Sequence, residues 1–184
     1  MPLKTPICDF GQAAKSFELK STNNEIIKLN DVKGTNGTLV MFICNHCPYV
    51  KAVIKDIVED CKNLEKLGVK AVAICSNDSI NYPDYSFDKM IKFHKDHNFN
   101  FPYLIDKTQE IAKSYGAVCT PDFFGYNKKL ELQYRGRIRE LKNLKPVKIG
   151  ESDLFKAMEQ IAETGKGPKD QIPSMGCGIK WLEN

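Results

Sequence analysis

The stretch Leu39-Val40-Met41-Phe42-Ile43-Cys44-Asn45-His46-Cys47-Pro48-Tyr49-Val50 decides how the rest of the chain is read. An apolar, β-prone run ends in two cysteines three positions apart, and a helical pattern follows at once. Val50, Val53, Ile54, Ile57, Val58, Cys61, Leu64 and Leu67 recur in steps of three and four along one face, with Gly68 as a stop. A strand thus delivers a dithiol to the start of a helix. Unpaired amides and the positive end of the helix dipole favour an anion there, so a cysteine at this place should ionise more readily than a free one. The thiolate is the reactive form. Cys-x-x-Cys over a first turn also lets the two sulfurs join and part without unfolding anything. Half of many zinc sites has the same spacing, but the strand before and the helix after favour redox chemistry.

Outward from this centre, Val-Lys-Ala-Val-Ala-Ile-Cys over residues 69–75 is nearly all apolar, as for a strand covered on both faces of a parallel sheet, and completes a β-α-β unit. Upstream, residues 17–19 and 26–29 flank Asn23-Asn24 and read as a β-hairpin added at the N-terminus. Downstream, residues 76–86 form a loop, Phe87, Met90 and Ile91 share a helical face, and residues 101–105 make a short strand. Asp106 with Gln109 resembles a capping box for a short helix ending at Gly116. Residues 122–126 and 130–137 then read as an antiparallel hairpin. Ser152 opens a last helix with Leu154, Phe155, Met158, Ile161 and Ala162 inward, closed by Gly165, and a Gly/Pro-punctuated tail follows.

Composition sets the limits. The 184 residues, 42% hydrophobic and 27% charged, suit one globular domain with a full core: residues 1–184, with 1–37 as a hairpin extension and 166–184 as a tail. A formal charge of +4, with basic and acidic residues interspersed, asks for no nucleic acid. Arg135, Arg137 and Arg139 read as a solvated strand edge. No apolar run reaches membrane length, and residues 1–10 lack the apolar core of a secretory signal. Seven cysteines with one close pair fit a reducing compartment and a catalytic dithiol, so a cytoplasmic location is expected.

The order β-hairpin, β-α-β, α, short strand, α, β-β, α resembles the thioredoxin fold, an α/β arrangement with a central mixed sheet flanked by helices. Cys44-Asn45-His46-Cys47 resembles its redox motif, and Thr120-Pro121 its cis-proline. The hairpin and the helical insertion at residues 76–106 resemble the AhpC/TSA (peroxiredoxin-like) and TlpA branch. Cys-Asn-His-Cys-Pro-Tyr-Val, Cys-Thr-Pro-Asp-Phe-Phe, Tyr-Arg-Gly-Arg and the tail Pro173-Ser174-Met175-Gly176-Cys177 with Ile179-Lys180-Trp181 resemble a bacterial group within it.

The resemblance implies a thiol–disulfide oxidoreductase without cofactor or metal. Cys44, nearest the solvent edge, attacks as thiolate and Cys47 resolves. A cis Pro121 sets the backbone at Thr120 beside the sulfurs, where an extended substrate can pair, and His46 stabilises the thiolate. Partners would be a disulfide-bearing protein or small thiol, or a peroxide, together with a reductant, with no membrane involved.

Two alternatives stand beside it. Cys47-Pro48 resembles the peroxiredoxin site, but the places that family fills with a hydroxyl and a proline hold Cys44 and Val40, and residues 117–126 contain no arginine. The third is non-enzymatic copper or zinc binding, for which His94 and His97 are the other imidazoles, read as surface residues. Among the remaining cysteines, Cys61 and Cys75 read as small core residues and Cys8 lies near the chain end. Cys119 and Cys177 are candidate auxiliary redox thiols.

Overall fold

The computed structural model describes residues 1–183. Strand β1 (Leu3–Lys4) precedes the hairpin of β2 (Glu18–Ser21) and β3 (Ile26–Lys28), then β4 (Gly37–Phe42). Helices α1 (Pro48–Lys51) and α2 (Ile54–Glu65) lead to β5 (Val69–Cys75), α3 (Phe87–Asp96), β6 (Tyr103–Ile105) and α4 (Glu110–Tyr115). After β7 (Cys119–Thr120) come β8 (Asp122–Asn127), β9 (Leu132–Tyr134) and the small hairpin β10 (Leu141–Lys142) and β11 (Lys145–Pro146). Helix α5 (Asp153–Thr164) and β12 (Met175–Gly178) end the regular structure.

The main sheet has seven strands in the order β3-β2-β6-β5-β4-β8-β9. It is parallel at β4–β5–β6 and antiparallel elsewhere, so the α/β class and mixed sheet read from the sequence are present. All six residues of β4 are buried. Because side chains alternate across a strand, Leu39, Met41 and Ile43 enter one cluster with α2, α3 and α5. Val40 and Phe42 enter another, with α4 and the N-terminal segment. Each such side chain, fully buried, stabilises the fold by about 1.5–3 kcal/mol. The dithiol therefore hangs from the best-anchored strand in the molecule.

Several elements depart from the sequence reading. The single helix expected after Cys47 is broken: Val53 leaves the helical region at φ −121°, ψ 4°, separating α1 from α2. Periodicity missed this because Val50, Val53, Ile54 and Ile57 are all buried on the same side regardless of the break. Asp106 is not the cap residue of α4. Gln109, with φ +65°, precedes the helix, while Asp106 accepts from the Ala112 amide at 2.9 Å and from the Ser76 hydroxyl at 2.7 Å. Ser152 does cap α5, accepting from the Phe155 amide, and Gly165 ends it at φ +77°.

The three arginines are not a solvated edge, because each guanidinium meets a carboxylate. Buried Arg135 lies 3.0 Å from Asp122 and stacks on Phe124 at 4.4 Å. Arg137 meets Asp153 at 2.7 Å and Arg139 meets Asp56 at 3.0 Å. The C-terminal tail is also ordered rather than irregular: β12 pairs with β1 on one side and β7 on the other. Residues 11–14 run along β9, where the Gly11 amide donates to the Leu132 carbonyl at 2.8 Å and the Leu132 amide to the Gln12 carbonyl at 2.9 Å. Among the described residues, no helix is long and apolar enough to cross a membrane.

Candidate active site

The register of β4 against β8 pairs Phe42 with Asp122, so the chain just before β8 lies opposite the chain just after β4. That juxtaposition brings Thr120 to the two cysteines. Cys44 Sγ is 3.3 Å from Thr120 Oγ1, and the Cys47 thiol donates to the Thr120 carbonyl, also at 3.3 Å. The Thr120–Pro121 peptide is cis. Cys47 is the residue before α1, Pro48 fills the first helical position where no amide is needed, and the Lys51 amide donates to the Cys47 carbonyl at 2.9 Å. The 44–47 turn is held from below by Asn45, which accepts from the buried Tyr103 hydroxyl at 2.6 Å and donates to the Asp84 carbonyl at 3.1 Å. Neither Tyr103 nor Asn45 was singled out by the sequence, since only the long-range fold brings them together.

The tail completes the site. In the β12–β7 pairing Cys177 stands opposite Thr120 and Gly178 opposite Cys119. Directly opposed residues share a sheet face, so the Cys177 side chain lies on the Thr120 side and packs against the cluster that holds Cys44 and Cys47, where its thiol and amide favour the Cys47 thiolate. Cys119, the next residue along β7, takes the other face; its Sγ is 3.8 Å from the Pro121 carbonyl and burial pushes its thiol up to about 12. Cys177 is therefore gathered to the dithiol and Cys119 is not.

These contacts divide the two sulfurs. The Cys44 thiol donates to Cys47, and this hydrogen bond, helped by the Thr120 hydroxyl and by Cys177, outweighs burial and holds Cys47 well below the ordinary thiol range. Donating to Cys47, together with burial, pushes Cys44 well above it. The Thr120 carbonyl opposes ionisation of Cys47, but the converging donors outnumber it. A four-residue α1 has too few aligned peptides for a full macrodipole, so the hydrogen bonds carry the effect expected of the helix. Cys44 is also not at the solvent edge. Both sulfur-bearing residues are 0% exposed, and of these three thiols only Cys177 is half-buried.

Three other expectations change. His46 turns outward, 3.8 Å from Asp84 and 3.4 Å from Lys51 Nζ, and among the described residues makes no hydrogen bond to either sulfur. His94 on α3 and His97 just after it are half-buried rather than surface residues: His94 bonds the Thr22 hydroxyl at 2.6 Å and His97 packs on Phe93. They do not join the thiols, and among the described residues no cluster of three or more His, Cys, Asp or Glu side chains is arranged to hold a metal. Arg135, which follows β9, is not free to serve as a peroxidase guanidinium, being engaged by Asp122 and the Gly116 carbonyl. A groove of about 460 Å³ passes Pro121, Tyr49, Val53, Ile138, Leu141 and Met175.

Comparison with known proteins agrees with this geometry at the level of fold and family. No curated protein matches the chain. An uncharacterized conserved protein from Geobacillus kaustophilus is 36% identical, with 100% of this chain and 98% of that one covered at a TM-score of 0.94. A hypothetical protein from Sinorhizobium meliloti 1021 is 31% identical over 98% of both chains at 0.90. The thioredoxin domain of a thiol-disulfide oxidoreductase from Bacteroides vulgatus, at 15% identity, covers 83% of this chain and 97% of its own with a TM-score of 0.63, which shows the thioredoxin-like fold. The AhpC/TSA family model matches residues 10–141, and on that match the chain belongs to the AhpC/TSA family.

Proposed function

We propose that this protein is a thiol–disulfide oxidoreductase whose working pair is Cys44 and Cys47, with Cys47 as the attacking thiolate. The observation that carries the reading is the convergence of both sulfurs on one residue, Thr120, each at 3.3 Å; the neighbouring Cys44 thiol favours the thiolate on Cys47. The Cys47 thiolate attacks a disulfide R–S–S–R′, forming R–S–S–Cys47 and releasing R′ as thiolate. Cys44, deprotonated, then attacks Cys47 Sγ and releases R, leaving the Cys44–Cys47 disulfide for an external reductant. This reverses the roles expected from the sequence alone. The substrate class is a disulfide, borne by a protein or joining small thiols, and the cytoplasmic location rests on the seven-cysteine count.

Stoichiometric reaction with a chromogenic disulfide tests the assignment. Cys44→Ser should keep the rapid release of the first equivalent of thiol and Cys47→Ser should lose it; the opposite pattern would return the attack to Cys44. A thiol peroxidase is the second reading, favoured by a thiolate on the cysteine that precedes Pro48. Against it, Cys44 occupies the hydroxyl's place, and no guanidinium bonds either sulfur among the described residues. Sulfenic acid accumulating on Cys47 after one equivalent of peroxide, at a rate far above that of a free thiol, would favour the peroxidase.

A further inference from the structure

The edge of β7 beside the sulfurs, where an extended substrate could pair, is occupied by the chain itself. β12 lies there with a closeness only glycine permits: a Cβ on Gly176 would sit 1.8 Å from the Thr120 carbonyl oxygen. The strand is fastened at both ends. Ser174 Oγ donates to the Pro121 carbonyl at 2.7 Å and the Thr5 amide to the Ser174 carbonyl at 2.9 Å. Beyond it, Gln109 bonds the Lys180 carbonyl and the Leu182 amide, each at 2.9 Å. Under this cover Cys44 and Cys47 have no exposed surface, whereas Cys177, opposite Thr120, is half-buried.

From this arrangement, and resting on the reading of Cys44–Cys47 as the working disulfide, we infer that Cys177 is a third redox thiol that takes Cys47 from Cys44 and carries the oxidised state to the surface. The step is an exchange. Cys177 gives up its proton and its sulfur attacks Cys47 Sγ; the Cys47–Cys177 bond forms as the Cys44–Cys47 bond breaks, and Cys44 leaves as thiolate and takes a proton. No electron enters or leaves. An external dithiol then attacks Cys177 Sγ and displaces the Cys47 thiolate, a good leaving group because its conjugate acid is strong. The dithiol's second sulfur displaces Cys177, and the dithiol departs as a disulfide, oxidised by two electrons.

The order of events is built into the contacts. In the reduced protein burial, the hydrogen bond to Cys47 and the charge of Cys47 all raise the Cys177 thiol, to about 11, so it waits as a proton donor. Once Cys47 is in a disulfide it carries no charge and needs no donor. Two of the three causes that hold Cys177 protonated disappear, and Lys180 is left to favour its thiolate.

The test uses the whole chain and oxidised glutathione as the probe, with free thiols alkylated before trypsin. Cleavage puts Cys44 and Cys47 together in residues 34–51 and Cys177 in residues 170–180. Oxidised wild type should give an internal disulfide in 34–51, which tests the working pair alone. Oxidised Cys44→Ser should give 34–51 cross-linked to 170–180, and Cys44→Ser with Cys177→Ser should give a glutathione adduct on Cys47 instead. A stable glutathione adduct on Cys47 in Cys44→Ser, with Cys177 alkylated, overturns the inference while leaving the working pair standing. Should Cys44→Ser fold poorly, wild type titrated across glutathione ratios serves as well: the cross-linked peptide should appear as a fraction of the oxidised protein, and its complete absence overturns the proposal.

Discussion

β4 and β12 reach the same three sulfurs from opposite ends of the chain, and different forces hold them. β4 is six residues long, buried throughout, and paired on both edges over its full length. β12 is Met-Gly-Cys-Gly, with one buried residue and two registered pairs on each side. The first strand is fixed by apolar side chains packed on both of its faces. The second is fixed by backbone pairing and the absence of side chains, and contributes little hydrophobic burial of its own. β4 therefore decides where the dithiol is, and β12 decides what can touch it. Segments with few buried apolar contacts are the first to open in a folded protein, so access can fluctuate while the sulfur positions do not.

The widest separation between the two strands should come from Phe42→Ala in β4. Phe42 packs on Tyr115 and Phe124 at ring distances of 5.6 and 5.7 Å, and the cavity should cost about 3–5 kcal/mol of global stability in urea unfolding. A loss below about 1 kcal/mol would mean that β4 is not the anchor claimed for it.

In β12, Gly176→Ala should cost about 1–3 kcal/mol, the range for forcing atoms into a filled space, because its Cβ meets the Thr120 carbonyl. Its larger effect should be local: alkylation of Cys44 and Cys47 in the reduced protein should become faster while far-ultraviolet circular dichroism stays native. Unchanged alkylation would show that β12 is no barrier.

The sulfurs themselves give a pH signature. Cys47 is lowered to about 5 in the folded protein, against roughly 8.5 for a free thiol in the unfolded chain. Its contribution to stability is therefore complete above pH ~8.5 and is lost as pH falls through about 5. Asp60, raised to about 6 by burial, acts with the opposite sign at the acid end, so the clean window lies above pH 6. Reduced wild type should gain stability from pH 6 to 8.5 relative to Cys47→Ser. Parallel curves would remove the assignment of the thiolate to Cys47.

The smallest effect belongs to His46. Its exposed imidazole faces Asp84 and Lys51, so His46→Ala should change stability by less than about 0.5 kcal/mol and the dithiol potential against glutathione by less than about 10 mV. A shift near 30 mV or more would bring the imidazole back to the sulfurs.

What was legible in the sequence follows the same division. β4, β5, the N-terminal hairpin, α5 and its Ser152 cap were readable because their signals are local: apolar alternation, helical spacing, a turn residue, a cap. Cys44, Cys47 and Thr120-Pro121 were readable as motifs. β12 was not, because Gly-Cys-Gly has no strand preference and becomes a strand only by pairing with residues more than fifty positions upstream. The Asp122–Arg135 pair was hidden for a similar reason: an arginine in a basic triplet looks solvated until the hairpin folds it over a carboxylate. The break between α1 and α2 was invisible because one buried stripe crosses it.

The segment at residues 11–14 has a consequence for self-association. An uncovered edge strand is a template on which another chain can add itself. At β9 a second copy would find the amide and carbonyl of Leu132 already paired with Gln12 and Gly11, and Ala13 bridged to Glu131. At the opposite edge it would find only the three residues of β3, too short a template for a long ladder. Growth of the sheet from molecule to molecule is thus blocked at one end and poorly supported at the other.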